Sequence, residues 1–517
     1  MFFASILCFF FSDYTGLLYN FNFCDILENN MEFFVSASLS GYNLFFFVML
    51  SFCGVMSLNY SLHYQGYNSY DGNLLYINMF IFLITMVLLS ITSGLLSSLV
   101  MWEYLGVVSF FLILFYENYV SLRAAVITLV TSRVGDVFFF LLVGYSMINV
   151  SWENVLLLLL GLSLWFVVGS KSAFFPMSSW LLEAMRAPTP VSALVHSSTL
   201  VAAGVWFMLC YWNNIYNVGF CFFGLICCLV TTIVTGVSSL IISDSKKIVA
   251  LSTSNNISWC LIYVFSGFSY LAVLQLLVHG LGKCLFFIIM GNVMSSGEGG
   301  QEYKGFHPSV SYINLGSIFF SVFCLSGAPM LGIYFSKHFF FSSHFGESSN
   351  YFFSLLLLVS FFVTNLYSAR LIAISCGTVN GSSVSYETNF GFSLYVLLFV
   401  GIVCLYNSTL LNESIEGNMR LGFIIIFLFV VGSFFGLVLY NMLGGGLDYY
   451  WYGTSLGYMD YLVNSVKIFY SLILGVSLLS LYRWDYSIIS IGHQNITNNF
   501  LVLSGISSLF IFLLFFV

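Results

Sequence analysis

Charge is what this sequence has least of. Of its 517 residues only 6% are Asp, Glu, Lys or Arg, against 60% hydrophobic, and the mean hydropathy is +0.99. A soluble domain carries about a quarter charged residues, so an ordinary water-facing surface cannot be built from this chain. The twelve cysteines, the adjacent Cys227 and Cys228 included, show no Cys-x-x-Cys pair and no Cys/His spacing suited to zinc or an iron–sulfur cluster. They read as small apolar residues of the interior or the lipid face. Thirteen basic residues against twenty acidic ones, with no basic run, give nucleic-acid binding no support. The first dozen residues lack a basic leader and a small-residue cleavage site, so Met1 onward is read as mature protein.

What is present is apolar length. Blocks run near 2–18, 33–60, 74–98, 99–116, 123–149, 155–175, 190–211, 218–242, 247–268, 270–292, 309–345, 351–375, 393–410, 421–442 and 497–517. A spanning helix needs ~20 mostly apolar residues, and unpaired backbone is so costly in lipid that these blocks must be helices, since a barrel would alternate in ten-residue strands. The expectation is an all-α polytopic membrane protein of about fifteen spans. Residues 455–490 differ, with Asp460, Lys467, Arg483 and Asp485 scattered through an apolar run that follows Gly444–Gly446. That segment either lies along the membrane or makes one more span at 461–482.

Proline is nearly missing, and its five positions are all between 176 and 329: Pro176, Pro188, Pro190, Pro308 and Pro329. Pro176 and Pro329 fall inside apolar blocks beside small residues (Gly169, Ser170 and Ser172; Ser326, Gly327 and Ala328), where a helix should break at membrane depth. Two broken helices in separate parts of a chain point to the ion site of a transporter, although plain structural kinks have the same signature.

An ionisable residue inside a span costs ~2.5–3.5 kcal/mol on insertion scales, so each calls for a reason. Glu103 lies well inside an apolar block; Arg133 and Asp136, three apart, share a helix face and can pair. Lys171 precedes the first break and Lys337 follows the second. Lys246 and Lys247 follow Asp244 at the start of one block, and His279 and Lys283 are four apart on one face of the next. Burial disfavours a lysine's charged form and a nearby carboxylate favours it, so lysines on successive helices, with histidine, polar groups and water between them, suit proton handling. Plainer readings stand beside this one. Asp244, Lys246 and Lys247 could be solvated charges at a helix end, Arg133 and Asp136 a structural pair, and His196 a packing histidine.

The motifs resemble those of the antiporter-like membrane subunits of respiratory complex I, most closely the distal one. The segments that carry the resemblance occur in the family's order. They are Trp102-Glu-Tyr-Leu-Gly-Val-Val-Ser109, Arg133-Val-Gly-Asp136, Gly169-Ser-Lys-Ser-Ala173, Ala187-Pro-Thr-Pro-Val-Ser-Ala-Leu-Val-His-Ser-Ser-Thr199, Asp244-Ser-Lys-Lys-Ile-Val-Ala-Leu-Ser-Thr-Ser254, His279-Gly-Leu-Gly-Lys283, and Gly327-Ala-Pro329 through Phe335-Ser-Lys337. They cover about residues 75–375.

The resemblance implies two inverted five-helix repeats, each with one broken helix. It implies proton translocation coupled to quinone reduction elsewhere in the assembly. Glu103 and Lys171 then look like the family's glutamate–lysine pair, with Arg133 and Asp136 beside it and His196 and Asp244 in support. Lys246 is similar to the central lysine, and His279, Lys283 and Lys337 to its continuation. Gln275 stands where the family usually has a histidine, and His338 where an aspartate usually follows the second-break lysine.

The implied organisation is N-terminal spans at 1–73, about one helix short for the family, an antiporter-like core at 74–375, further spans at 376–454, a lateral amphipathic helix at 455–495 and an anchoring helix at 496–517. No cofactor or metal is expected in this chain, with FMN, iron–sulfur clusters, NADH and ubiquinone in other subunits. Expected partners are the adjacent antiporter-like subunit (chain 4), the chains under the lateral helix, and phospholipids such as cardiolipin. The place is the mitochondrial inner membrane; the excess of Phe (59) and Tyr (33) suits an organellar gene, or lipid-facing selection alone. A sodium/proton antiporter subunit and a scaffold that has lost transport are the competing readings.

Overall fold

The computed structural model describes residues 21–26, 33–37, 41–66, 69–92, 94–147, 154–211, 218–296, 312–329, 331–346, 351–376 and 419–443, with Lys467, Ser471, Leu472 and Gly475. The chain divides into two units, Met1–Gly457 and Tyr458–Val517; in the second, those last four residues are helical. The expected spans at 2–18 and 393–410, the anchor at 496–517 and, those four residues apart, the lateral helix at 455–495 lie outside the described residues. So do Pro308 and Gly444–Gly446.

The described residues of the first unit are mainly helical, as its composition requires. Its helices are α1 (Gly41–Gln65), α2 (Tyr70–Ile91), α3 (Leu95–Leu114), α4 (Tyr119–Met147), α5 (Asn154–Ser172), α6 (Trp180–Ala184), α7 (Thr189–Tyr211), α8 (Val218–Ile241), α9 (Ser245–Phe265), α10 (Ser269–Ser296), α11 (Tyr312–Ser326), α12 (Tyr334–Gly346), α13 (Tyr351–Cys376) and α14 (Met419–Leu443). Among the described residues, ten helices are long and apolar enough to cross a membrane. One departure from an all-α chain is an antiparallel pair, β1 (Phe21–Ile26) with β2 (Phe33–Ala37), in which Phe21 faces Ala37 and Ile26 faces Phe33. The block expected at 33–60 therefore begins as a strand and turns helical at Gly41.

A second departure is where α2 ends. Hydropathy places a boundary between residues 98 and 99; the chain leaves the helix at Thr92, whose N–H and hydroxyl both return to Leu89, and α3 starts after Gly94. The apolar residues on both sides hide this turn from a hydropathy window.

Burial sorts the helices. The apolar windows of α9 and α10 are wholly buried within the protein and that of α7 is 94% buried, whereas those of α4 and α14 are only 33% and 17% buried. The outer helices present Phe111, Phe140, Phe427 and Phe434 to their surroundings, as lipid or a neighbouring subunit demands. The many serines and threonines inside donate to carbonyls three or four residues back, as Ser163 does to Leu160 and Thr253 to Ala250, so that a hydroxyl is buried without an orphaned donor.

Both expected breaks are present. α5 stops at Ser172 with Ala173 in the left-handed region (φ +54°), and Pro176 sits in the turn that leads to α6. α11 stops at Ser326 with Gly327 at φ +87°, and α12 resumes at Tyr334; the Ile333 N–H ties back to the Cys324 carbonyl at 3.1 Å across the break. A left-handed residue turns the chain out of the helical path and frees the last carbonyls for other donors. Lys171 is the penultimate residue of α5, and Lys337 lies in the first turn of α12.

Candidate functional site

The charges that cost most to bury are nonetheless deep inside the protein. Lys171, Lys246, Lys283 and Lys337 are each at most 3% exposed, and His196 and His279 are wholly buried. They form three local arrangements.

In the first, Gly135 lets α4 approach α5 so closely that a Cβ there would overlap Ser170. This brings the Arg133–Asp136 turn beside Lys171. Arg133 is ion-paired with Glu103 of α3 and lies 3.5 Å from Asp136 on its own helix. Lys171 has no ion pair of its own among the described residues, although Asp136, Glu103 and Arg133 are within its electrostatic reach, Asp136 most strongly. Its ammonium lies 5.4 Å from the centre of the Trp102 ring and packs against Gly106. Glu103 is thus ion-paired with Arg133, and it acts on Lys171 electrostatically rather than through an ion pair.

The second centres on α7, which carries a π-helical stretch at Ser192–Thr199 containing His196. The hydroxyls of Ser198 and Thr199 reach back to the Leu194 carbonyl, holding the wider turn. His196 lies between two lysines: it lines one small cavity with Lys171 and is within electrostatic reach of Lys246. The adjacent lysines of α9 part company here. Lys246 turns inward and donates to the Ala187 carbonyl, while Lys247 pairs with Asp244 at 2.6 Å at the part-exposed helix end.

The third runs along the antiparallel α9–α10 contact. Lys283 donates to Ser252 and, at 3.4 Å, to the Val249 carbonyl; two turns away Gln275 donates to the Asn256 carbonyl at 3.3 Å. His279 lies midway between these ties on the same face of α10. Gln275 also accepts from Ser336 at 3.0 Å, which joins α10 to the residue next to Lys337. The Lys337 ammonium donates to the Ser326 carbonyl at 3.3 Å and the Thr364 hydroxyl at 3.4 Å, between the rings of Trp259 and Phe361. His338 turns away from this axis, stacking on Tyr334 and facing Gly422 of α14.

A family model described as NADH:quinone oxidoreductase/Mrp antiporter, TM, matches residues 92–364, which hold every residue of these arrangements except Gly422. A Caenorhabditis elegans protein named NADH-ubiquinone oxidoreductase chain 5 is 32% identical over 417 residues, covering 77% of this chain and 74% of that one. The chain belongs to the NADH-ubiquinone oxidoreductase chain 5 family. A chain 5 from Locusta migratoria is similar at 31% identity over 398 residues, or 72% and 70% of the two chains.

Two solved structures share the fold of this chain 5 family member. One is a chain of the Mrp complex from Dietzia sp. DQ12-45-1b, with TM-score 0.75 and 19% identity over 98% of this chain and 59% of that one. The other is a chain of the membrane-bound sulfane sulfur reductase, an archaeal respiratory membrane complex, with TM-score 0.66 and 15% identity over 85% and 92%.

Several polar residues of the site escaped the sequence reading. Ser252 and Ser336 stand within the motif segments without being singled out, Asn256 ends the polar run Ser252-Thr-Ser-Asn-Asn256 inside an apolar block, and nothing marks the uncharged Thr364. Arg370 is different. It is an ionisable residue inside a span, which the cost of intramembrane charge should have flagged, and it is 3% exposed. Its guanidinium binds the Ser239 and Ile242 carbonyls, capping the C-terminal end of α8 from α13.

Proposed function

We propose that this chain is a proton-translocating membrane subunit of respiratory NADH:ubiquinone oxidoreductase, driven by quinone reduction elsewhere in the complex. The observation that carries this reading is the set of buried cations on four different helices, Lys171 of α5, Lys246 of α9, Lys283 of α10 and Lys337 of α12, together with the buried His196 and His279. A scaffold would be under no pressure to keep four lysines out of water when apolar side chains pack as well or better.

In this reading a proton held at Lys171 is biased by the Glu103–Arg133–Asp136 cluster. Displacing Arg133 would free both carboxylates to act on the lysine, so the cluster is the switch and Lys171 its output. His196 links Lys171 to Lys246. Lys283, His279, the Gln275–Ser336 bridge and Lys337 continue toward α13. Gln275 cannot itself take up a proton, so its part is to hold α10 against α12 while water carries the proton past. No redox step falls to this chain.

The same reading places the chain in the mitochondrial inner membrane, beside the neighbouring antiporter-like subunit (chain 4), with phospholipids such as cardiolipin against its exposed apolar helices. A sodium/proton antiporter subunit is the competing reading, favoured by the fold shared with the Mrp chain. The test is a high-resolution structure of the native assembly purified through this chain. A complex that holds the NADH-oxidising and quinone-reducing subunits supports the proposal; one made of antiporter subunits overturns it.

A further inference from the structure

Lys171 and His196 share the wall of a cavity of about 10 Å³, whose surface is mostly apolar and includes Ile113 and Leu200. Four hydroxyl side chains line it: Ser109 of α3, Thr128 and Ser132 of α4, and Ser170 of α5. Each donates its proton to the carbonyl three residues back, to Gly106, Ala125, Leu129 and Val167, at 2.8 to 2.9 Å. A hydroxyl that has given its one proton to its own helix can only accept.

The donors on the wall are the Lys171 ammonium and the indole N–H of Trp180, and both are buried without a hydrogen-bond acceptor from the protein. Neither ring nitrogen of His196 meets a partner at hydrogen-bonding geometry, although the Ala184 backbone lies near it. A cavity of this size holds about one water, which needs two to four polar partners. Here donors and acceptors are both present.

We propose that Ser109, Thr128, Ser132 and Ser170 are positioning residues that hold one water in a fixed orientation between Lys171 and His196. This rests on the proton-relay reading above. Because the hydroxyls only accept, the water's hydrogens turn toward them and toward His196, and its lone pairs toward Lys171. Transfer then balances in one concerted step. The Lys171 ammonium gives a proton to the water oxygen while the water gives one of its own to an imidazole nitrogen. Neutral lysine, imidazolium and the same water molecule result. A wall of donors would turn the water round and oppose that step, so the four hydroxyls set the direction in which the water is ready to pass a proton.

The test uses the whole assembled complex in proteoliposomes and reads protons translocated per NADH oxidised, with subunit content checked for assembly. Thr128→Val keeps the shape and removes the acceptor; combined with Ser132→Ala it should lower the ratio, and Thr128→Ser should restore it. A density map of the unaltered complex should show one water within hydrogen-bonding distance of Lys171 and of Thr128 or Ser132.

Lys171→Ala separates the two levels of the argument. If Lys171→Ala lowers the ratio while the Thr128→Val/Ser132→Ala double variant leaves it unchanged, the water site is wrong and the relay stands. If Lys171→Ala leaves it unchanged too, the relay reading itself fails. A dry cavity in the unaltered complex overturns the water site whatever the variants do.

Discussion

The Arg133 guanidinium holds the Glu103 carboxylate across the α3–α4 contact, thirty residues away in sequence. The same guanidinium is 3.5 Å from Asp136. One cation thus restrains two carboxylates next to the buried ammonium of Lys171.

Residues in one ion-pair network couple by about 0.5–3 kcal/mol. Glu103→Gln and Arg133→Gln should each lower protons translocated per NADH oxidised in the assembled complex, and the double variant should cost less than the sum of the two. Strict additivity would mean that Arg133 does not act through Glu103.

Lys283 depends on Ser252 for its side-chain acceptor. A hydrogen bond to a charged group contributes ~1.5–3 kcal/mol, about a tenfold rate effect or more if it is lost in the limiting step. Ser252→Ala should therefore slow proton uptake by the reconstituted complex under single-turnover conditions, while Ser254→Ala, whose hydroxyl only returns to the Leu251 carbonyl, should not. Equal effects of the two would remove Ser252 from the path.

Gln275 ties α10 to both α9 and α12. Leaving buried polar groups unpaired costs about 1–3 kcal/mol, so Gln275→Leu should speed amide hydrogen exchange in the first turn of α12 and lower the proton ratio. A shape-matched Gln275→Glu should keep more of the exchange protection than Gln275→Leu. Unchanged exchange in Gln275→Leu would show that the bridge does not hold the break.

Arg370 should behave as a structural residue. Leaving a buried polar group unpaired costs about 1–3 kcal/mol, and here two carbonyls at the end of α8 would lose their donor. Arg370→Leu should reduce the amount of assembled complex on native gels, and the complex that does assemble should translocate at the normal ratio. Normal assembly with a lowered ratio would place Arg370 in the proton path instead.

Much of this arrangement is legible in the sequence because lipid makes charge expensive: a lysine such as Lys171 or Lys283 in an apolar block is visible without coordinates. The two breaks are legible because Pro176 and Pro329 sit beside small residues that can leave the helix. What the sequence hides is direction. Hydropathy treats Lys246 and Lys247 alike, yet one residue's rotation of about 100° around a helix separates a buried donor to Ala187 from a part-exposed partner of Asp244. Spacing likewise pairs Arg133 with Asp136, whereas the Arg133–Glu103 ion pair comes from the packing of α3 on α4. The hydroxyls around Lys171 are hidden for another reason, because serine and threonine are common in every membrane helix and only the cavity singles these out.

The most direct measurement is the number of protons translocated per NADH oxidised by the assembled complex in proteoliposomes, compared between the unaltered chain and Lys171→Met and Lys283→Met variants that assemble fully. A lower ratio in both variants is the result expected if buried lysines of this chain carry protons. An unchanged ratio in both, with quinone reduction intact, would contradict it and leave the chain a scaffold.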